Sequence, residues 1–323
     1  MSSVRILLSA TAMELSFGCA ALAALGLAGA RDGWLDVINN FAPFGLVLGL
    51  VALGLAAAAA PRGAVRGACL ALAGASVIVG AALVGPEIAR WRPASPATGP
   101  AFQLLSANVW ADNPEPDAAV AAIARLAPDV VLLQESDGNL ATPLAGLRQL
   151  YPYGTDCPKS GVRILVKTPV GASGCDLGAG DIDDRDVAWL STTTATGAPV
   201  TLVTVHFTWP FPPEPQARQR QALAAWVKAR PPQDVILAGD FNTTPWSFAM
   251  RWQDAALAPL QRRTIAWFTW PARLDLFRTP WSAPVLPIDH LYTGPDWRVV
   301  SLQRERIPGS DHFATLATIS GSR

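Results

Sequence analysis

Asp240 and Asn242 stand two residues apart in the stretch DVILAGDFNTTPWS, residues 234 to 247. They follow Val235–Ala238, a short continuous apolar run bounded by turn formers, which is the pattern of a buried strand. Side chains alternate along a strand, so residues two apart face the same way. A carboxylate and an amide on one face at a strand end suit a metal-bound phosphate. Gly239, without a Cβ, lets another backbone or a ligand come close. The same residues also suit an Asx-type turn before Pro245, and this stretch taken alone favours the turn.

The arrangement recurs, however. Asn108 closes FQLLSAN, Glu135 follows PDVVLLQ, and His206 ends PVTLVTVH. Asp289 opens DHLYTG, and Asp311 and His312 open DHFATLATI. The chain has three histidines, His206, His290 and His312, and each falls at such a strand end. Singly, each reads as a surface or capping residue; the repetition points to one site. The chemistry it suits is attack on a phosphoester, whose negative charge must be neutralised. Mg²⁺ prefers oxygen ligands, so one or two carboxylates plus substrate oxygens suffice to hold it. Histidine trades protons near neutral pH, and a carboxylate partner fixes its tautomer.

The elements that must position these residues begin at about residue 101. Between there and the C-terminus, apolar strands outnumber helices. The clearest helices are PDAAVAAIARL and PEPQARQRQALAAWVKAR, and the stretch between DVILAGDFN and DHLYTG reads as rich in loops. Runs of strands with fewer helices imply sheets packed together with helices outside. From residue 93 onward 19 basic residues face 21 acidic ones, a net of −2, so no basic excess advertises a grip on nucleic-acid backbone.

Residues 1–90 are different. Three apolar stretches, about 6–30, 41–60 and 67–85, each approach the ~20 residues needed to span a bilayer. Arg62 and Arg66 lie in a second loop without acids, whereas the first loop carries Asp32 and Asp36 against Arg31. Basic loops stay cytoplasmic, so three spans place the rest of the chain outside. A signal peptide cut after Ala28–Ala30 would leave two spans and the same orientation, though Glu14 interrupts its apolar core. Residues 91–100, rich in proline and small residues, read as a linker. Cys19 and Cys69 fall within spans. Cys157 and Cys175 are the only cysteines beyond them, and a bridge between the two suits an oxidising compartment. Ten of the twelve tryptophans lie after residue 93, and Trp110, Trp209, Trp246 and Trp270 neighbour the motifs, either lining a cleft, touching lipid or packing in a core.

Six pieces in order, LLSANVW, PDVVLLQES, VTVHF, ILAGDFNTTP, PIDHLYTG and GSDHFATLATI, resemble the endonuclease/exonuclease/phosphatase superfamily, here as a membrane-anchored member of bacterial type. The resemblance covers residues 101 to 320 and none of the spans. It implies an α/β fold, a four-layer α/β/β/α sandwich, here preceded by a bundle of three transmembrane helices. By matching positions, Glu135 resembles the main ligand of a divalent cation, Mg²⁺ or alternatively Mn²⁺, with Asn108 beside it and Asp311 as a further carboxylate on the metal side. Asp240 resembles the residue that orients or deprotonates the attacking water, and Asn242 a phosphate contact. His206 resembles the histidine that binds phosphate and assists the leaving group. His312 resembles the second histidine, polarised by Asp289. Two departures are visible. Trp110 stands where abasic-site endonucleases carry an acid, and GVRILVKTP offers no acid to support His206. His290 is expected to pack at its strand end.

The resulting expectation has three parts: an anchor at 1–90, a linker at 91–100, and a catalytic domain at 101–323. The protein is expected to be multi-pass in the inner cell membrane, with its catalytic domain periplasmic or extracellular. The activity expected is metal-assisted hydrolysis of a phosphoester, lipid-type or small. An extracytoplasmic endonuclease and a non-catalytic binding protein of the same fold are the alternatives.

Overall fold

The computed structural model describes residues 3–91, 99–155, 157, 161–177, 187–276 and 279–321. Most of the linker expected at 91–100 lies outside the described residues. The chain divides into two compact units. One comprises residues 1–91 with 211–213 and 244–251; the other holds the remainder.

The first unit is built on three long helices, α1 (Ser3–Ala28), α3 (Ala42–Ala59) and α4 (Ala64–Ala89), with a short turn of helix, α2 (Gly33–Asp36), between the first two. The three long ones are apolar enough and long enough to cross a membrane. Their packing is inverted relative to a water-soluble bundle. Ala12, Ala52, Ala56 and Ala73 are fully buried, while Leu7, Phe17, Val47 and Ile78 point outward. Small residues at the helix contacts let the backbones approach closely. A Cβ on Gly80 would meet Leu46 at 2.9 Å, and one on Gly49 would meet the Ser76 hydroxyl at 2.7 Å.

The second unit carries two six-stranded sheets. In chain order the strands are β1 (Ala101–Asn108), β2 (Val130–Gln134), β3 (Tyr153–Gly154), β4 (Arg163–Val166), β5 (Ser173–Gly174), β6 (Val187–Thr193), β7 (Pro199–His206), β8 (Val235–Asp240) and β9 (Gln261–Arg262). A two-stranded ribbon follows, β10 (Leu274–Leu276) and β11 (Thr279–Trp281), then β12 (Asp289–Thr293), β13 (Trp297–Arg306) and β14 (Phe313–Gly321). One sheet runs β13-β14-β1-β2-β4-β3 and the other β5-β6-β7-β8-β12-β9.

Alternation along the strands explains the layers. Phe102, Leu104, Val130, Leu132 and Ile164 of the first sheet share one core with Leu190, Leu202, Ile236 and Ala238 of the second. The intervening residues, Leu105, Ala107, Val131 and Leu133, turn the other way onto Ala119 and Ile123 of helix α5 (Pro116–Leu126). A period of two thus buries both faces of the sheet. Helix α6 (Pro213–Lys228) buries Ala222, Leu223, Trp226 and Val227. Cys157 and Cys175 are bridged, joining the chain just after edge strand β3 to the chain just after edge strand β5.

Several elements went unseen in the sequence, β9, β10 and β11 among them. Helix α7 (Phe248–Ala256) occupies the stretch read as loop. Its first turn is capped twice: Ser247 Oγ accepts the Met250 amide at 3.1 Å, and from far away in the chain the Asp36 carboxylate accepts the amides of Phe248 and Ala249 at 2.9 and 2.7 Å.

Candidate active site

Strand register sets the geometry. In the second sheet, β7 and β8 are parallel with His206 opposite Asp240, and β8 and β12 are antiparallel with Asp240 opposite Asp289. Three polar residues therefore lie side by side at one end of three adjacent strands. In the first sheet, Asn108 pairs with Gln134, which brings Glu135, the next residue, to the corresponding end. Gly239 is required by this register. A Cβ there would sit 2.0 Å from the Val205 carbonyl oxygen of β7.

Asp240 is the centre. It is 1 % exposed. Its Oδ2 accepts from Asn108 Nδ2 at 3.1 Å and lies 3.8 Å from His206 Nε2 and 3.7 Å from His312 Nε2. Its Oδ1 accepts the Asn242 amide at 2.8 Å. The strand ends at Asp240, so Asn242 does not continue the alternation. It sits at φ 48°, and its Nδ2 donates to the Phe207 carbonyl at 2.8 Å. The Asx-type turn and the polar cluster are thus the same object.

Asn108 spans two carboxylates, donating to Glu135 Oε1 at 2.8 Å as well as to Asp240, while its oxygen accepts the Trp110 amide. The other Glu135 oxygen accepts the Ala111 amide at 3.1 Å. His206, which lacks an acid on the neighbouring hairpin, finds Glu135 Oε1 at 3.6 Å and Asp240 at 3.8 Å instead. Trp110, Glu135 and Asn242 all adopt left-handed backbone, at φ 61°, 52° and 48°. Non-glycine residues are uncommon there, and such residues gather at functional sites.

His312 and Asp289 form a buried couple. Nδ1 of His312 lies 2.9 Å from Asp289 Oδ2, which also accepts the Thr269 hydroxyl. Burial alone would lower the His312 imidazole, but the charges of Asp289 and Asp240 outweigh it and lift the pKa to about 10. The ring is therefore an imidazolium at neutral pH. For Asp240, burial and the Asp289 charge raise the carboxyl, His312 and His206 pull it back, and it settles at about 6. A carboxylate in that range is suited to taking a proton near neutrality.

The site offers oxygen donors of the kind a divalent cation takes. One oxygen of Asp311 accepts from Trp270 Nε1 at 3.1 Å, while the other, Oδ1, is buried without a hydrogen-bond partner. An unpaired buried carboxylate oxygen fits a hard cation that takes oxygen ligands. Asp240, Asp289 and His312 also offer ligand atoms within 4.8 Å of one another. There, however, Asp289 Oδ2 is already committed to His312 and Thr269, and Asp240 Oδ2 stands 3.7 Å from the far nitrogen of the same ring, within charge contact but not hydrogen-bonded. Asn108 presents its N–H groups to the carboxylates, which aligns Glu135 rather than offering it an oxygen neighbour.

Sequence reasoning had singled out all eight residues but missed their supports. Ser310 is fully buried, donates to the Asn108 carbonyl at 2.7 Å and accepts the His312 amide at 3.0 Å. Only its place before Asp311 and His312 hinted at it. Gln134 crosses beneath the site to Thr204 of the other sheet at 2.8 Å. His290 is buried, with Nε2 2.9 Å from the Thr243 carbonyl, as expected of a packed residue. Trp246 is buried, whereas Trp209 is 62 % exposed and meets Trp270 edge-on, with 6.3 Å between ring centroids.

A family model described as Endonuclease/Exonuclease/phosphatase family matches residues 105–312. No curated protein sequence matches the chain. Among solved structures, D. rerio TDP2 complexed with a single-strand DNA product superposes with a TM-score of 0.56 at 18% identity, covering 68% of this chain and 99% of that one. Beta toxin from Staphylococcus aureus gives 0.50 at 17% identity, covering 67% and 99%. The human Nocturnin catalytic domain with a bound sulfate gives 0.52 at 15% identity, covering 70% and 96%. At these identities the structures speak for the fold. The family match takes in every strand end described above, and by it this chain belongs to the endonuclease/exonuclease/phosphatase family and is, like its members, a hydrolase of phosphoester bonds.

Proposed function

We propose that the chain is a membrane-anchored phosphoesterase requiring a divalent cation, Mg²⁺ or Mn²⁺, with its catalytic part on the periplasmic or outer side of a cell membrane and a lipid-type or other small phosphoester as substrate. The observation that carries this reading is Asp240 Oδ2, ringed by Asn108, His206 and His312. Glu135 and Asp311, with Asn108 aligning the first, would hold the cation. When bound, it supplies positive charge to the phosphoryl oxygens and acidifies water. Asp240 takes the proton of the attacking water. His312, held as an imidazolium by Asp289, gives its Nε2–H to the developing negative charge. His206 gives a proton to the leaving oxygen, and Asn242 keeps Asp240 in place through its amide while offering its side chain to phosphate.

Three long apolar helices and a disulfide support the location, since disulfides persist in oxidising compartments. DNA is the second reading, because the TDP2 structure holds a DNA product; the net charge of −2 beyond residue 93 weighs against it. The test is turnover by the full chain in nanodiscs with Mg²⁺ on a bis-aryl phosphodiester, a phospholipid, an inositol phosphate and single-stranded DNA. Hydrolysis of the lipid or small esters, abolished in Asp240→Asn, is the expected result. Preference for DNA would establish the second reading. No turnover on any member would leave the fold as a binding scaffold.

A further inference from the structure

Two segments that follow catalytic strand ends belong to the helical unit. After His206 the chain enters it at Phe211–Pro213, and after Asp240 and Asn242 it enters at Thr244–Arg251. Both segments meet the same short connector between α1 and α3. Phe211 packs edge-on against Trp34, with ring centroids 5.0 Å apart. A Cβ on Gly33 would lie 2.9 Å from Pro213. Asn40 Oδ1 accepts the Thr244 amide at 2.9 Å and its hydroxyl at 3.1 Å, and the Asn40 carbonyl accepts Trp246 Nε1 at 2.9 Å.

Asp36 completes the seat. Beyond its two bonds to the first turn of α7, its Oδ1 accepts Asn39 Nδ2 at 2.8 Å, and Asn39 also donates to the Gly26 carbonyl at 2.9 Å. Asp36, Asn39, Asn40 and Trp246 are 4, 1, 6 and 1 % exposed. A plain membrane tether needs none of this. Buried polar groups are costly unless every one is paired, and fully paired networks fix one arrangement over its neighbours. Here the arrangement fixed is that of residues 244–249, which begin two residues after Asn242.

We propose that Asp36 and Asn40 are positioning residues for hydrolysis: the connector between the first two long helices seats residues 244–249, the continuation of the loop that leaves β8 at Asp240 and carries Asn242. The inference rests on the catalytic reading of that loop given above. Loop placement enters turnover steeply, since a displacement of ~1 Å can cost on the order of 10²-fold in rate. Loss of the seat therefore lowers kcat and leaves KM nearly unchanged.

The test uses the full chain in nanodiscs, in Asn40→Leu, Asn40→Asp and Thr244→Val forms. Hydrogen exchange without added metal reads the seat, and turnover on the best substrate with Mg²⁺ reads its consequence. Asn40→Leu should lose protection at the Thr244 amide and drop kcat by about 10- to 100-fold at constant KM. Asn40→Asp, which keeps the acceptor, should restore both to within about threefold. Thr244→Val loses only the hydroxyl bond, so it should fall between them, and it keeps the question decidable if Asn40→Leu misfolds. Unchanged Thr244 exchange in Asn40→Leu and in Thr244→Val would overturn the seat itself. Lost protection with unchanged kcat would overturn the positioning role alone. A wild-type chain with a protected Thr244 amide but no phosphoester turnover would overturn the functional reading, and the positioning claim with it.

Discussion

Replacing Gly239 with alanine should damage stability and catalysis together. The added Cβ would lie 2.0 Å from the Val205 carbonyl oxygen, an atom of β7 backbone that no rotamer change can move. Carbon and carbonyl oxygen approach to about 3.3 Å at best, so β7 and β8 must part by roughly 1.3 Å. Strands in a sheet are ~4.8 Å apart, which makes that displacement more than a quarter of the spacing. Overpacking typically costs about 1–3 kcal/mol and a buried ladder bond left unmade a further ~1–3 kcal/mol, so a loss near 3 kcal/mol or more is expected. For a unit of this size that is a fall in Tm of roughly 6–12 °C. The same movement separates His206 from Asp240, now opposite each other with Nε2 and Oδ2 3.8 Å apart, and should cost on the order of 10²-fold in turnover. Tryptophan fluorescence melting of the full chain reads the first quantity, because ten of the twelve tryptophans lie after residue 93. A Gly239→Ala chain that melts within about 2 °C of wild type and turns over normally would refute the account of why the strands register as they do.

Other outcomes follow from the same geometry. Asp240 must be ionised to take a proton, so turnover should fall as pH drops through about 6, and it should fall again as His312 loses its proton near about 10. Asp289→Asn removes an anion that raises both groups, so both limbs of the pH–rate profile should move to lower pH; an unmoved profile would exclude the proposed couple. Glu135→Gln should raise the Mg²⁺ concentration needed for half-maximal turnover and be partly rescued by excess metal, whereas Asp240→Asn should not be rescued. Cys157→Ser with Cys175→Ser should lower stability by ~3 kcal/mol, read as a denaturation midpoint shift, since the bridge closes residues 18 apart in sequence. A phosphatase reporter fused after residue 323 should be active only outside the cytoplasm, and a cytoplasmic signal would overturn the orientation.

The strand ends were legible because the signal is local. An apolar run followed by a polar residue marks where a side chain leaves the core, and Asn108, Glu135, His206, Asp240, Asp289 and His312 all announced themselves that way. The long helices were legible from apolar length, with ends one to four residues from those observed, and α4 runs through Pro86 to Ala89. What stayed hidden depends on partners distant in sequence. Asp36 read as an ordinary loop charge but caps a helix 212 residues away. Helix α7 has a local cap, Ser247, whose Oγ accepts the Met250 amide at 3.1 Å, and a remote one, Asp36; the first could be read from the sequence and the second could not. Trp246 stood open between cleft, lipid and core, and it is a core residue whose indole N–H donates to the Asn40 carbonyl. The carboxylates beside His206 come from β2 and β8, so no hairpin acid was needed. Asn242 seemed to share a face with Asp240, and no strand period could foresee that the chain turns left-handed there.

That turn has a consequence for anyone engineering the protein. Trp110, Glu135 and Asn242 each hold a backbone conformation that costs a non-glycine residue of order 1–3 kcal/mol. Thermostabilisation by relaxing local strain, a routine source of gains elsewhere in a chain, would find its readiest targets at these three positions. Glycine at 110, 135 or 242 would ease the main chain while erasing the side chain or the loop shape on which turnover depends. Heat resistance and activity are thus set against each other at three named sites, and a library selected for survival at high temperature alone should drift toward well-folded, inert variants.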